Sequence, residues 1–162
     1  MPNKTVSVKD IMTTQVVIVR PDMLLMEAAK VLAEHNFDGV PVVDKENKLI
    51  GILTEYDLIS KSTLIHFPTL QKIIQNIGVY GKDKSHFKKD FAEITSLTVK
   101  DAMNADPLTL PEDAAYEDVI QAFREHHRVN PIPVVDKDRK VIGVVSRYDV
   151  LKPLHLEVDN TS

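Results

Sequence analysis

The chain has 162 residues, of which 43% are hydrophobic and 27% charged, so it is an ordinary globular sequence with room for one large domain or two small ones. A formal net charge of -4 argues against broad nucleic-acid binding, which needs Lys and Arg against phosphate. The absence of cysteine excludes a disulfide framework, thiol catalysis and a cysteine zinc site.

The N-terminal Met1-Pro-Asn-Lys-Thr5 lacks the apolar stretch of a signal peptide, and no apolar run approaches the ~18 residues of a membrane span. The expected location is the cytoplasm. Ser7-Val-Lys-Asp10 then has the form of a capping box opening a short helical turn, with Val8, Ile11 and Met12 on its apolar side. Val16–Val19 reads as a buried strand, being rich in β-branched residues. Pro21 ends it, Asp22 is a candidate N-cap, and a helix is expected from Met23 to His35 with Leu25, Ala28, Ala29 and Leu32 inward. Two strands follow, Val40–Val43 and Leu49–Thr54, around the charged loop Asp44-Lys-Glu-Asn-Lys48, and then a helix from Glu55.

Residues 61–97 read as a helical insert. Leu70, Ile73, Ile74 and Ile77 share one helix face ended by Gly78, and Phe87, Phe91 and Ile94 share a second. Lys61, Lys72, Lys82, Lys84, Lys88 and Lys89 make it locally basic, which reads as a solvated helical face before it reads as a nucleic-acid patch.

From Thr98 the pattern restarts. Thr98-Val-Lys-Asp101 repeats the capping box, and Pro107–Leu110 is a weaker counterpart of the first strand. A helix is expected from Ala114 to His126 with Ala115, Val119, Ala122 and Phe123 inward and Asp113 as N-cap. Strands Ile132–Val135 and Val141–Ser146 flank a loop of equal length, and a helix starts near Arg147. The tails Gly51-Ile-Leu-Thr54-Glu55-Tyr-Asp57 and Gly143-Val-Val-Ser146-Arg147-Tyr-Asp149 lie 92 residues apart, as do Pro41-Val-Val-Asp44 and Pro133-Val-Val-Asp136. Two copies with their surroundings are an internal duplication. Each unit reads β-α-β-β-α, over 7–60 and 98–155, with 156–162 a C-terminal tail. Matching Pro21 with Pro111 makes the second unit one residue shorter before the helix and two longer after it.

The repeated tail has two physical readings. Thr54 with Asp57, and Ser146 with Asp149, form plain capping boxes worth about 1 kcal/mol each. The same groups could serve a ligand: a helix N-terminus and hydroxyl toward phosphate, and a carboxylate accepting from a ribose diol. No Ser-His-Asp set, P-loop or zinc-protease motif appears, so an enzyme is not expected. His126-His127 has no carboxylates spaced to complete a metal site, and none is expected. Tyr56 and Tyr148, which share a position, read as packing on the partner unit.

The paired segments Val8-Lys-Asp-Ile-Met12 and Val99-Lys-Asp-Ala-Met103, Gly39–Asp44 and Pro131–Asp136, and the two Gly-x-x-[Ser/Thr]-x-x-Asp tails resemble a tandem pair of CBS (cystathionine β-synthase motif) domains, a Bateman module. The resemblance implies an α/β fold of the α+β type, two repeats packed through their sheets with pseudo-two-fold symmetry. It implies a non-catalytic regulatory or energy-sensing module that needs no cofactor. Its effector would be AMP, ADP, ATP, S-adenosylmethionine or cyclic di-AMP in clefts between the repeats. Asp57 and Asp149 would hold ribose hydroxyls, and Thr54 and Ser146 would meet ribose or phosphate. Val40-Pro41 and Ile132-Pro133 would line the base, with Thr13-Thr14 and Asn104-Ala105 closing the clefts. The basic residue that the family often carries shortly before the Pro is displaced here to His126-His127-Arg128. Arg147 beside Ser146 could pair with phosphate and Glu55 beside Thr54 would repel it, so the second site is expected to take the phosphorylated ligand. The resemblance also implies a homodimer and an unidentified regulated protein. The alternative is a structural adaptor with empty clefts that docks through 61–97.

Overall fold

The computed structural model describes residues 6–60, 92 and 95–154. The helices expected within 61–97 lie outside the described residues. The first repeat comprises α1 (Val8–Ile11), α2 (Leu25–His35), β1 (Gly39–Val43), β2 (Leu49–Thr54) and α3 (Glu55–Ser60). The second comprises α4 (Val99–Ala102), β3 (Leu110–Pro111), α5 (Tyr116–Glu125), β4 (Ile132–Val135), β5 (Val141–Val145) and a 3-10 turn, Asp149–Leu151. Both hairpins are antiparallel and carry the same register shift, at Val42/Val43 and at Val134/Val135. Their core aliphatic side chains, Val40, Val42 and Leu53 in the first hairpin and Ile132, Val134 and Val145 in the second, are almost wholly buried, as suits β-branched runs.

The opening turns are exchanged between the repeats. Val8 and Ile11 of α1 pack into the core of the second repeat with Leu110, Val119 and Val134. Val99 and Ala102 of α4 pack into the first with Leu25, Leu32 and Leu53. The backbone follows suit. Val8 N–H donates to Ala114 O at 3.0 Å, and Val99 N–H donates to Met23 O at 2.9 Å. A unit of about 50 residues buries too little surface alone. Here each core is completed by a turn from the other unit.

This exchange corrects several sequence expectations. Val16–Val19 is not a strand: Thr13 is bridged to Val144 in the second repeat while Val19 is bridged, parallel, to Val42 in the first. The residues between cross from one sheet to the other and cannot stay in either ladder. The helices start later than Asp22 and Asp113 suggested, with Leu24 and Ala115 as N-caps. Leu24 and Ala115 remain extended because they bridge to Thr98 and Ser7 of the exchanged turns. Ala115 N–H then donates to the Asp118 carboxylate at 3.0 Å. Pro21 and Pro111 are not equivalent either. The pairs Val19/Leu110 and Leu24/Ala115 keep the 91-residue spacing of Ser7/Thr98, so the second repeat loses nothing before its helix and gains one residue after it. Leu32 therefore corresponds to Phe123, and Ala29 to Ile120. Ala29 itself is half-buried, as are Ala115, Ala122 and Phe123. The last expected helix begins with the 3-10 turn at Asp149, not at Arg147.

Gly51 and Gly143 make the exchange possible. A Cβ on Gly51 would lie 2.8 Å from Asn104 O and 2.7 Å from the Met103 sulfur; one on Gly143 would lie 3.2 Å from Thr13 O and 2.5 Å from the Met12 sulfur. A thioether can move aside, but a carbonyl held in a bridge cannot. We expect Gly51→Ala to lose about 1–3 kcal/mol in urea unfolding, through overpacking, and Gly143→Ala to lose less. Equal losses would refute the backbone clash as the cause.

The exchanged turn α4 also predicts an acid response. Backbone N–H and hydroxyl of Thr98 donate to Asp101 Oδ2 at 2.7 and 2.9 Å and hold its carboxyl below the usual range. A carboxyl depressed in the folded state stabilises the fold above its unfolded value near ~3.9, and that contribution fades as pH falls through the folded value. Asp101→Asn should flatten the acid limb of the stability-versus-pH curve below about pH 4 and leave its shape near neutrality unchanged, as measured by urea midpoints across pH.

Candidate functional site

Two clefts lie between the repeats, and each draws on both. The first, of about 240 Å³, is lined by Thr13, Val40 and Pro41 from the first repeat and by Pro131, Ser146 and Asp149 from the second. The second, of about 450 Å³, is lined by Thr54, Tyr56 and Asp57 from the first repeat and by Asn104, Arg128 and Val129 from the second. The exchanged turns explain the crossing. Thr13 is held on β5 by reciprocal N–H···O bonds with Val144 of 2.9 and 3.0 Å. Asn104 is held on β2 by two such bonds with Ile52, both 2.9 Å. The residue after each opening turn thus faces the hydroxyl–carboxylate pair at the end of the other repeat's hairpin.

Those pairs have the geometry of capping boxes. Thr54 donates its N–H and its hydroxyl to Asp57 Oδ2 at 3.0 and 2.7 Å, and Asp57 N–H returns to the Thr54 oxygen at 3.2 Å. Ser146 and Asp149 repeat this at 2.7, 2.9 and 3.3 Å. The two carboxylates differ at the remaining oxygen. Asp149 is 7% exposed, and its Oδ1 is paired with Lys152 Nζ at 2.8 Å, while Lys152 also donates to Ile11 O at 2.6 Å. Asp57 is half-buried, and among the described residues no Lys or Arg is ion-paired with it. Its other oxygen, Oδ1, takes no part in the bonds from Thr54.

The structure redistributes the other expected site residues. Arg147 lies in neither cleft. It borders an open cavity with Phe123, Arg124 and Val150, donates to the carbonyls of His127 and Val129, and sits 5.9 Å over the Phe123 ring. The reason is local: Asp149 turns inward to cap Ser146, which sends the residue two before it outward. The cation that does reach a cleft is Arg128, in the second. It donates to Tyr56 OH at 3.0 Å and lies 5.6 Å over that ring. Ile132 lies in the second core and Pro133 is buried, and neither lines a cleft; Thr14 lines neither, while Ala105 does border the second. Tyr56 reaches the other repeat through Arg128, whereas Tyr148 is 73% exposed and does not pack on the partner unit.

The helix N-termini are also spoken for. Glu55 N–H donates to Asp38 O at 3.0 Å, and Arg147 N–H to Asn130 Oδ1 at 3.0 Å. The expected anion seat at these amides is therefore occupied by protein acceptors. Asp38 and Asn130, equivalent by the repeat, meet between the clefts through an Asn130 Nδ2 to Asp38 Oδ2 hydrogen bond. In the sequence they stand out only as positions shortly before Pro41 and Pro133 that carry no basic residue; Asp38 lines the first cleft. Among the described residues no group of three His, Cys, Asp or Glu is placed to hold a metal ion, and no helix is long and apolar enough to cross a membrane.

Comparison with known proteins gives a consistent picture. The CBS domain family model matches residues 8–63 and 99–156. CBSX1, a chloroplastic CBS domain-containing protein of Arabidopsis thaliana, is 27% identical over 83% of this chain, which spans 57% of that protein's length. The crystal structure of CBSX2 in complex with AMP is 28% identical and superposes with a TM-score of 0.67 over 94% of this chain and 98% of that one. The CBS domain pair of protein MJ0100, in complex with 5-methylthioadenosine and S-adenosyl-L-methionine, is 25% identical with a TM-score of 0.65 and covers 94% and 98%.

Proposed function

Since the chain belongs to the CBS domain family, we propose that it is a regulatory module in which the two clefts bind different adenosine-containing ligands and the second takes the phosphorylated one. One observation carries this reading: each cleft sets a hydroxyl–carboxylate pair from one repeat against a wall from the other, and among the described residues only the second adds a cation, Arg128. The first cleft instead carries Asp38 and Asp149 and, among the described residues, is lined by no Lys, Arg or His. A phosphate there would face two carboxylates without a partner of its own. A guanidinium, by contrast, matches phosphate oxygens in charge and geometry. Size points the same way, since about 450 Å³ falls within the usual range of ligand pockets and about 240 Å³ just below it. The asymmetry read from Arg147 and Glu55 is thereby reversed: the cleft built on Asp57 is the phosphate-binding one.

In this function Asp57 accepts from the ribose hydroxyls through the oxygen that Thr54 does not use, Thr54 stays locked to the other, and Arg128 swings from Tyr56 to the phosphate. The first cleft takes a nucleoside or another phosphate-free adenosyl ligand, or none until Lys152 leaves Asp149. Occupancy then acts on a partner protein, or on assembly with a second copy of the chain, by favouring one arrangement of the two repeats. Titration calorimetry tests the assignment. Arg128→Ala should weaken AMP about tenfold, the effect of about 1.5 kcal/mol from a charge-assisted hydrogen bond, and leave adenosine nearly unchanged. Asp57→Ala should abolish the AMP heat that Asp149→Ala retains. Equal losses from the two aspartate variants would sink the assignment.

One observation favours a second reading, a structural adaptor with empty clefts. No buried side-chain N or O among the described residues lacks a partner, so Thr54, Asp57, Ser146 and Asp149 are already satisfied as caps. A ligand that binds only the native state raises its melting temperature. The sensor predicts such a rise with AMP or S-adenosylmethionine at millimolar concentration; no rise with any adenosine compound would select the adaptor.

A further inference from the structure

We infer that Lys152 sets the affinity of the first cleft, as a built-in competitor whose ammonium must leave Asp149 before that carboxylate can accept a ribose. The inference rests on the reading of the clefts as adenosyl sites and adds to it the residue that regulates one of them.

Both oxygens of Asp149 are engaged. Ser146 donates its N–H and its hydroxyl to Oδ2 at 2.7 and 2.9 Å, and Lys152 Nζ is paired with Oδ1 at 2.8 Å. A carboxylate offers about four lone-pair sites. These donors take three of them, and a ribose diol brings two more donors. The ammonium is also held by Ile11 O at 2.6 Å, at the end of α1. Asp149 is 7% exposed, whereas the Lys152 side chain is 41% exposed. The carboxylate is therefore fixed by its cap, and the lysine, on a flexible stem beside water, is the partner able to move.

The local fold puts the lysine there. The 3-10 turn Asp149–Leu151 ends at Lys152, whose backbone N–H bonds back to Asp149 O. In such a turn side chains three residues apart eclipse, so residue 152 returns over residue 149. The repeat supplies a control. The counterpart of Lys152, 92 residues earlier, is Ser60, which has no amine, and the first hairpin is followed by an α-helix, Glu55–Ser60, instead of a 3-10 turn. Among the described residues no cation is paired with Asp57.

Release of the lysine has a second consequence. Ile11 leads through Met12 to Thr13, which lines the first cleft and is bridged to Val144. Lys152 thus ties the opening turn of the first repeat to the ribose acceptor of the second. A ligand that takes Asp149 removes this tie, so that filling the first cleft is felt at the contact between the repeats.

Titration calorimetry with adenosine tests the lock, on full-length variants in an Asp57→Ala background that silences the second cleft. Lys152→Gln keeps a donor for the Ile11 carbonyl but no charge, and Lys152→Met keeps only the stem. Both should bind adenosine about tenfold more tightly than the Asp57→Ala parent, equivalent to about 1.4 kcal/mol. Lys152→Arg, which keeps the ion pair, should bind as weakly as the parent, and adding Asp149→Ala should abolish the gain. A lysine that only braces the fold predicts the opposite sign, since its loss would loosen the cleft wall and weaken adenosine. Unchanged or weaker binding in the Gln and Met variants would overturn the lock, as would a gain that survives Asp149→Ala or loss of a cooperative urea transition in both variants. Each of these results leaves the AMP assignment of the second cleft standing. Absence of heat from both AMP and adenosine, in the unmodified chain and in every variant, would overturn the lock and the cleft reading together.

Discussion

The structure depends on two short backbone bridges, Thr13 with Val144 and Asn104 with Ile52, each clamping a segment of one repeat onto the hairpin of the other. They require glycine beneath them, since the methionine and carbonyl that follow each opening turn lie where a Cβ would stand. Once clamped, α1 and α4 must pack away from the units they open, and each core is finished by its neighbour. The two repeats are then one cooperative body. Hydrophobic burial drives this, but it is the backbone pairing that chooses which unit each turn serves.

The same clamps build the clefts. They hold the residue after each opening turn opposite a Thr–Asp or Ser–Asp pair whose positions are set by capping, so the site is rigid without help from a ligand. A cap and a ligand acceptor make compatible demands on an aspartate: one oxygen accepts from the hydroxyl residue and the other is left over. What happens to that second oxygen separates the clefts. Lys152 occupies it on Asp149, while among the described residues no cation is paired with Asp57. Added to the placement of Arg128, this leaves two sites of one ancestry with unlike electrostatics.

The outward faces diverge in the same manner. The position held by Glu55 in one repeat and by Arg147 in the other was read from the sequence as a difference inside the clefts. It lies outside them, because the inward turn of the aspartate two residues on directs it to the surface. A charge difference between repeats can alter ligand choice or assembly, and only the direction of the side chain decides which.

The duplication, the hairpins, the four capping boxes and the apolar stripes were all legible in the sequence, because each rests on contacts within a few residues or on a pattern repeated along the chain. The prolines at 21 and 111 misled the alignment because a turn residue marks a break without marking its register; the ladder spacing of Val19 and Leu110 corrects it. Ile132 and Pro133 matched the motif yet line neither cleft, and Ile132 belongs to the core; Arg128 and Val129 border the second cleft instead. By itself the sequence determined that two copies of a unit of helix and β-hairpin exist and which hydroxyl and carboxylate end each hairpin. Tertiary structure alone decided which unit each opening turn completes, which halves share a cleft and which cation enters it. The physical reason is that near-identical repeats offer the chain two chemically similar docking sites, and only the geometry of the connections discriminates between them.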